Sequence, residues 1–322
     1  MALPDRLASR LRLPLIAAPM FTVSDPALVV AACRAGVIGA FPTANCRSPE
    51  ELESWLEGFG RSLGPEDAPV CANLVIRRPD LQTHLGLLCK HRVEMVVTSV
   101  GSPAAVVAPL HEAGALVFAD VATVAHARKA LAAGVDGLVL LTAGAGGQTG
   151  HLNGFAFARA VRRFFDGPLV LAGGIGDGVA LRAAIALGCD LGYVGTRFIA
   201  TRESAAPEAY KQMLVDSGID DIVLTSAFTG LPTSMLMPSL RAAGLDPRAI
   251  PEALARQTAA AVHGPAEGAG PASGAGSAAA EPAPQRWRDL WSAGHSVHGV
   301  DGIVPVAALV ERLRSEYAAA GP

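Results

Sequence analysis

The sequence lacks the features that mark secreted, metal-binding and membrane-spanning proteins. Its five cysteines contain no CxxC pair and no even-numbered framework, which indicates a reducing compartment. No HExxH motif or Cys/His cluster with metal-ligand spacing is present. No apolar run is long enough to span a membrane, and the N-terminal apolar stretch is short and interrupted by proline. We therefore expect a cytoplasmic protein with no metal site.

Charge is also scarce. Charged residues make up 17% of the chain, the formal net charge is -3, and only 3 of the 26 basic residues are lysines. This balance gives no electrostatic case for binding nucleic acid or an acidic membrane surface. What the chain does have is 322 residues, of which 51% are hydrophobic. That is enough for one α/β barrel with additions.

Short aliphatic runs alternate with longer helical patterns along the first two thirds of the chain, as in βαβ units with a parallel sheet. Several helical patterns stop at a glycine directly before the next aliphatic run, a join typical of tightly wound α/β units. The pattern predicts eight strands, at 15–19, 37–41, 70–76, 95–99, 116–119, 138–141, 169–171 and 191–194. Eight is the number that a closed (β/α)8 TIM barrel needs.

Beyond the eighth strand the composition changes. We expect residues 1–217 to form the barrel, with 206–217 as its last helix. Residues 218–262 form a mixed insertion or lid. Residues 263–285 are almost wholly Gly, Ala, Pro, Ser and Glu, and this composition predicts a flexible loop. Residues 286–322 regain helical periodicity and are expected to pack back on the barrel as an added C-terminal segment.

Two glycine-bearing segments follow the last two predicted strands. Gly173 and Gly174 come after the seventh strand, and Gly195 and Thr196 come after the eighth. Glycine lets backbone N–H groups approach a phosphate closely, and a helix N-terminus adds favourable partial charge. In TIM barrels the loops after strands seven and eight often form a phosphate site. The pattern predicts a phosphorylated cofactor or substrate at the barrel mouth.

Other candidate residues lie at the ends of earlier strands. The loop 144–150 has four glycines in seven residues after the sixth strand, so its backbone could lie against a planar ring, or it could be a flexible connection. Asn73 interrupts an aliphatic strand, either as a ligand contact or as a buried asparagine satisfied by the backbone. Pro19 and Met20 close the first strand.

Taken together, these motifs resemble the nitronate monooxygenase family, which are FMN-dependent TIM-barrel oxidoreductases. The matching pieces are APM at 18–20, Asn73, GAGGQTG at 144–150, AGGIGDG at 172–178, GTRFIATRES at 195–204 and WSAG at 291–294. The resemblance covers nearly the whole chain except the low-complexity stretch. It implies that FMN contacts Pro19, Met20, Asn73, Gly146, Gly173, Gly174, Gly195 and Thr196.

The chain departs from this family at the residues that carry its chemistry. Gln148 stands where the family has a catalytic histidine, and Asp120 stands where a lysine is common. A neutral glutamine can form hydrogen bonds but cannot take a proton at neutral pH. Two histidines, His151 and His295, are candidates to replace the missing base, although either could be an ordinary solvated side chain. We accordingly count Gln148, His151 and His295 as the candidate catalytic residues.

The resemblance implies oxidation of alkyl nitronates by FMN and dioxygen. An anionic nitronate needs no base, so Gln148 is expected to favour preformed nitronates unless His151 takes over. One alternative is an FMN-dependent reductase that passes hydride from NAD(P)H to an enoyl thioester or a quinone, since enoyl-acyl-carrier-protein reductases share this phosphate site. Another is a flavin-binding protein with impaired catalysis. A homodimer is compatible with each of these functions.

Overall fold

The protein is described here from a computed structural model, which covers residues 3–227, 230–245 and 290–321. Eight parallel strands close into a barrel in the order β1-β2-β3-β4-β5-β6-β8-β9. They are β1 (Leu15–Ala17), β2 (Ile38–Pro42), β3 (Val70–Val75), β4 (Met95–Ser99), β5 (Leu116–Val121), β6 (Gly137–Leu141), β8 (Leu169–Ala172) and β9 (Leu191–Val194). The prediction of a (β/α)8 barrel is confirmed, and the predicted strand ends agree with the structure to within two residues.

Alternation along each strand divides the core into two layers. In β5, Leu116 and Phe118 pack inside the barrel with residues such as Ile16 and Val139. The intervening Val117 and Ala119 pack outward against the helices. Because successive strand residues point to opposite faces, both layers follow directly from the sequence. The inward positions nearest the carboxyl ends of the strands therefore line the barrel mouth.

Helices follow most of the strands and cover the outside of the barrel. In chain order they are α1 (Asp5–Ala8), α2 (Pro26–Ala35), α3 (Pro49–Ser62), α4 (Leu81–Lys90), α5 (Ala104–Glu112), α6 (Val124–Ala132), α7 (Gly154–Arg162), α8 (Gly178–Ala186), α9 (Thr196–Ile199), α10 (Glu208–Val215), α11 (Met237–Ala242) and α12 (Val306–Ala319). Side-chain caps begin several of them. The carboxylate of Asp25, for example, accepts a hydrogen bond from the backbone N–H of Leu28 at the start of α2, at 3.0 Å.

The helix that completes the outer ring comes from the C-terminus. Helix α12 packs against both α8 and α2, the helices on either side of the last gap in the ring. Helix α10 instead stacks Tyr210 on Trp291, with ring centroids 4.9 Å apart. This corrects the assignment of 206–217 as the last ring helix. Local periodicity identified two helices here, but it could not say which of them packs between α8 and α2. The four-part division of the chain remains a prediction.

A second, antiparallel sheet lies over the loop that follows β6. It has the order β10-β11-β7, formed by Ile222–Thr225, Thr233–Leu236 and Gly147–Gln148. The first part of the predicted insertion is thus joined to the glycine-rich loop by backbone hydrogen bonds. The stretch 263–285, expected to be flexible, lies outside the described residues.

Within the three described ranges, no helix is long and apolar enough to cross a membrane. The same ranges contain no group of three or more His, Cys, Asp or Glu side chains that could hold a metal ion.

Candidate active site at the barrel mouth

The turn after β8 is shaped by two glycines with left-handed backbone conformations. Gly173 and Gly174 have φ values of 119° and 75°. A Cβ on Gly173 would lie 2.5 Å from the Thr142 Oγ1 atom, so no larger residue fits without movement. A Cβ on Gly174 would meet nothing within 4 Å, and this residue is exposed. The turn therefore presents the Gly174 backbone to open space, where an anionic group could approach it closely.

The turn after β9 lies against the end of β1. A Cβ on Gly195 would sit 3.3 Å from the Met20 sulfur. Thr196 follows at the start of α9 and is buried, and its Oγ1 accepts a hydrogen bond from the Gly294 N–H at 2.9 Å. The structure thus brings together Met20, Gly195 and Thr196, and adds a segment from the far end of the chain. An FMN contact at these residues stays a prediction.

That C-terminal segment explains two glycines of the loop after β6. The backbone N–H of His295 donates to the Gly144 carbonyl at 2.8 Å. A Cβ on Gly146 would lie 2.8 Å from the Gly294 nitrogen, and one on Gly144 would lie 2.7 Å from the His295 Nδ1 atom. Gly146 has no room for a side chain because two backbone segments touch there, and the space beside Gly144 is taken by the His295 ring. This packing reason for the glycine-rich loop is one that the sequence alone did not reveal.

The three candidate catalytic side chains are held differently. Gln148 is partly buried and pairs with Thr233 in the small antiparallel sheet. His151 and His295 are exposed. Neither imidazole has a hydrogen-bond partner within the described ranges, so no carboxylate there orients the ring, as a general base usually requires. The backbone of Gln148 is thus held in a sheet, and both histidine side chains are exposed to solvent.

Asn73 lies at the carboxyl end of β3 and is 8% exposed. Its Nδ2 atom donates to the Val97 carbonyl at 3.2 Å and lies 3.3 Å from the Ser99 hydroxyl on β4. The amide is therefore fixed by the neighbouring strand, which is the backbone-satisfied arrangement considered above. A contact between Asn73 and FMN stays a prediction.

Two inward-facing polar side chains were missed as site residues. The Oδ1 atom of Asp120 and the hydroxyl of Tyr193 are buried with no hydrogen-bond partner among the described residues. Burial raises the pKa of Asp120 to about 7. It also raises the pKa of Tyr193, and the charge of Asp120 adds to that rise. The available signal was a polar residue at an inward position of an apolar strand, as for Asn73.

Comparison with known proteins agrees with this architecture. The family model "Nitronate monooxygenase" matches residues 66–316. The nitronate monooxygenase of Paraburkholderia phytofirmans is 28% identical over 279 residues, covering 73% of this chain and 76% of that protein. A solved nitroalkane oxidase from Streptomyces ansochromogenes has a TM-score of 0.76 and 28% identity, and the match covers 98% of both chains.

A further relative carries a different activity in its name. The (3aS,4S,5R,7aS)-5-hydroxy-7a-methyl-1-oxo-octahydro-1H-indene-4-carboxyl-CoA dehydrogenase of Rhodococcus jostii is 28% identical over 227 residues, covering 70% of this chain and 63% of that protein. The family model spans most of the chain, and the closed barrel with its glycine turns is the fold that the resemblance implied. The chain therefore belongs to the nitronate monooxygenase family of oxidoreductases.

Proposed function

We propose that the protein oxidises alkyl nitronates with FMN and dioxygen. The observation that carries the proposal is the pair of turns after β8 and β9, where Gly174 faces open space beside the turn at Gly195 and Thr196. In this proposal the backbone N–H groups of Gly173, Gly174, Gly195 and Thr196 hold the FMN phosphate. Pro19, Met20, Asn73 and Gly146 then border the flavin ring. Bound FMN would supply the electron acceptor, which none of the twenty side chains provides.

The chain's own residues would bind and orient a small anion next to that ring. A nitronate is already deprotonated, so the step needs a hydrogen-bond donor more than a base. Gln148 can donate through its side-chain amide, and strand pairing with Thr233 holds its backbone. The names of the Paraburkholderia and Streptomyces relatives, which both concern nitro compounds, support this substrate class.

Anaerobic flavin reduction tests the proposal directly. Protein purified with FMN is mixed without oxygen with ethyl nitronate, NADH or NADPH, and the flavin absorbance is followed. We expect rapid bleaching by the nitronate, slow or no bleaching by either nicotinamide, and recovery of the colour when oxygen is admitted. Bleaching by NADH or NADPH without any response to nitronate would refute the proposal.

The second candidate is a flavin-dependent oxidoreductase that acts on a thioester and uses NAD(P)H. It is favoured by the Rhodococcus relative, whose name specifies a CoA thioester substrate. Gln148 also favours it, because hydride transfer needs no proton acceptor at that position. Bound FMN that none of the three reagents reduces would instead indicate the third candidate, a flavin-binding protein with impaired catalysis.

A further inference from the structure

Asp120 projects into the barrel close to its mouth. The inward positions of β5 are Leu116 and Phe118, which belong to the interior cluster. The outward positions are Val117, Ala119 and Val121. Alternation places Asp120 on the inward face, one residue before β5 ends. The carboxyl ends of barrel strands are where the catalytic residues of TIM-barrel enzymes lie.

The glycine-rich loop passes over this end of β5. A Cβ on Gly150 would lie 3.1 Å from the carbonyl oxygen of Ala122 and 2.4 Å from that of Leu141. Ala122 is two residues beyond Asp120, so the loop that carries Gln148 folds directly against the strand end that carries this carboxyl. Asp120 thus belongs to the same part of the mouth as the glycine-rich loop 144–150.

Among the described residues, no cation pairs with the Asp120 carboxyl. Its Oδ1 atom is buried and has no hydrogen bond among the described residues. Its charge helps to raise the pKa values of Cys71 on β3 and Tyr193 on β9, and both are neutral donors near pH 7. Burial raises its pKa to about 7. A carboxyl that titrates near neutral pH can accept a proton and release it again.

Tyr193 offers a second unpaired group to the same interior. Leu191 belongs to the interior cluster and Tyr193 packs against it, whereas Val194 belongs to the outer layer. The Tyr193 hydroxyl is buried and has no hydrogen bond in the described part of the chain. Strands β6 and β8 separate β9 from β5, so the two groups reach the interior from different sides of the barrel. One can accept a proton while the other donates a hydrogen bond.

We propose that Asp120 is the general base that removes the α-proton of a neutral nitroalkane, and that the Tyr193 hydroxyl donates a hydrogen bond to the nitro oxygen. The α C–H bond breaks and an O–H bond forms on Asp120. The electron pair moves into the nitro group and gives the nitronate, with no change of oxidation state. This inference rests on the proposed function, because it supplies that reaction with its substrate. It assigns to Asp120 the proton transfer that Gln148 cannot perform.

Hydrogen exchange at the α-carbon tests the step without requiring oxidation. The FMN-loaded protein is kept anaerobic in D2O with excess nitroethane, and deuterium incorporation is followed by proton NMR against a protein-free control. We expect wild-type exchange to rise with pH through about 7, as Asp120 ionises. Asp120→Asn should lower protein-dependent exchange by at least about 100-fold, and Tyr193→Phe by about 10-fold.

Measuring ethyl nitronate oxidation by the same variants distinguishes a failure of the Asp120 assignment from a failure of the proposed function. Asp120→Asn should lower the oxidation of preformed nitronate far less than it lowers α-carbon exchange, because the nitronate has no α-proton for a base to remove. Asp25→Asn is the matched control, since asparagine caps α2 as aspartate does and exchange should not change. Far-UV circular dichroism and FMN content establish that each variant is folded.

Four outcomes would overturn the assignment. Wild-type exchange that survives in Asp120→Asn refutes it, as does exchange abolished by His151→Ala alone. Nitronate oxidation without any wild-type exchange refutes the base and leaves the proposed function intact. Failure of both exchange and nitronate oxidation in the wild type refutes the proposed function as well.

Discussion

Two aspartates at opposite ends of the barrel differ in their hydrogen bonding. Asp190 lies directly before β9, at the amino end of the strand, and its Oδ2 atom accepts hydrogen bonds from the Arg162 guanidinium at 2.5 Å and from the Leu169 N–H at 3.0 Å. Asp120 lies near the carboxyl end of β5, and its buried Oδ1 has no partner among the described residues. Asp190 joins α7 to the barrel, whereas Asp120 contributes no such link.

The difference shows that stabilising interactions and candidate catalytic groups lie at opposite ends of this barrel. A buried charge that is fully hydrogen-bonded holds structural elements together, and loss of its partner is costly. A buried carboxyl without a partner keeps its proton to a higher pH and lowers the stability of the native state. In TIM barrels the amino-terminal face serves stability and the carboxyl-terminal face serves catalysis. The two aspartates follow this division.

The largest expected effect is on the free energy of unfolding and concerns the Asp190 ion pair. Arg162→Ala should lower the free energy of unfolding by about 3 kcal/mol, because it leaves Asp190 buried without its cation. Urea denaturation measures the change, and FMN binding should be unaffected. Arg61→Ala is the control, since the exposed Arg61–Glu57 pair contributes under about 0.5 kcal/mol. Equal effects of the two variants would contradict a stabilising role for the Arg162–Asp190 pair.

The next largest effect is on FMN binding at the barrel mouth. Gly174→Ala should weaken FMN affinity about 10-fold or more, since the added methyl group enters the open space proposed for the phosphate. Titration of FMN into flavin-free protein measures the effect. Gly114→Ala is a matched control, because Gly114 is also exposed, has a φ of 87° and has nothing within 4 Å of its Cβ position. Equal FMN affinity in both variants would argue against a phosphate at this turn.

The smallest effect concerns Asp120 itself and depends on pH. Burial raises its pKa from the ordinary 3.8 to about 7, so between these values the native state keeps a proton that the unfolded chain has released. The contribution of the Asp120 carboxyl to the free energy of unfolding is therefore fully present below about pH 4 and is lost as the pH rises through about 7. Asp120→Asn cannot ionise and should raise the melting temperature at pH 8 by at least about 2 °C.

Near pH 3 the same substitution should have little effect on the melting temperature, because Asp120 is then mostly protonated in both states. Thermal unfolding followed by circular dichroism at the two pH values measures the contrast. A stabilisation that is equal at both would show that the carboxyl is not perturbed by burial.

Much of the barrel was predictable because its signals are local. Apolar runs such as 169–171 and 191–194 located strands to within two residues, and Gly173 and Gly174 have the left-handed turns that favour glycine. The site was only partly predictable. Nothing near Gly146 in the sequence indicates that its backbone touches Gly294, and nothing near Asp120 indicates that its buried oxygen lacks a partner.

The sequence by itself determined the alternation of strands and helices, the two glycine turns and the absence of a histidine at position 148, because each depends only on neighbouring residues. The tertiary structure alone decided that α12 closes the ring and that Gly294 donates to Thr196. It also decided that Asp120 and Tyr193 share the barrel interior without hydrogen-bond partners for the Asp120 Oδ1 and the Tyr193 hydroxyl among the described residues. These last facts depend on which distant segments meet. Burial and hydrogen bonding are properties of a side chain's surroundings, and those surroundings exist only once the chain has folded.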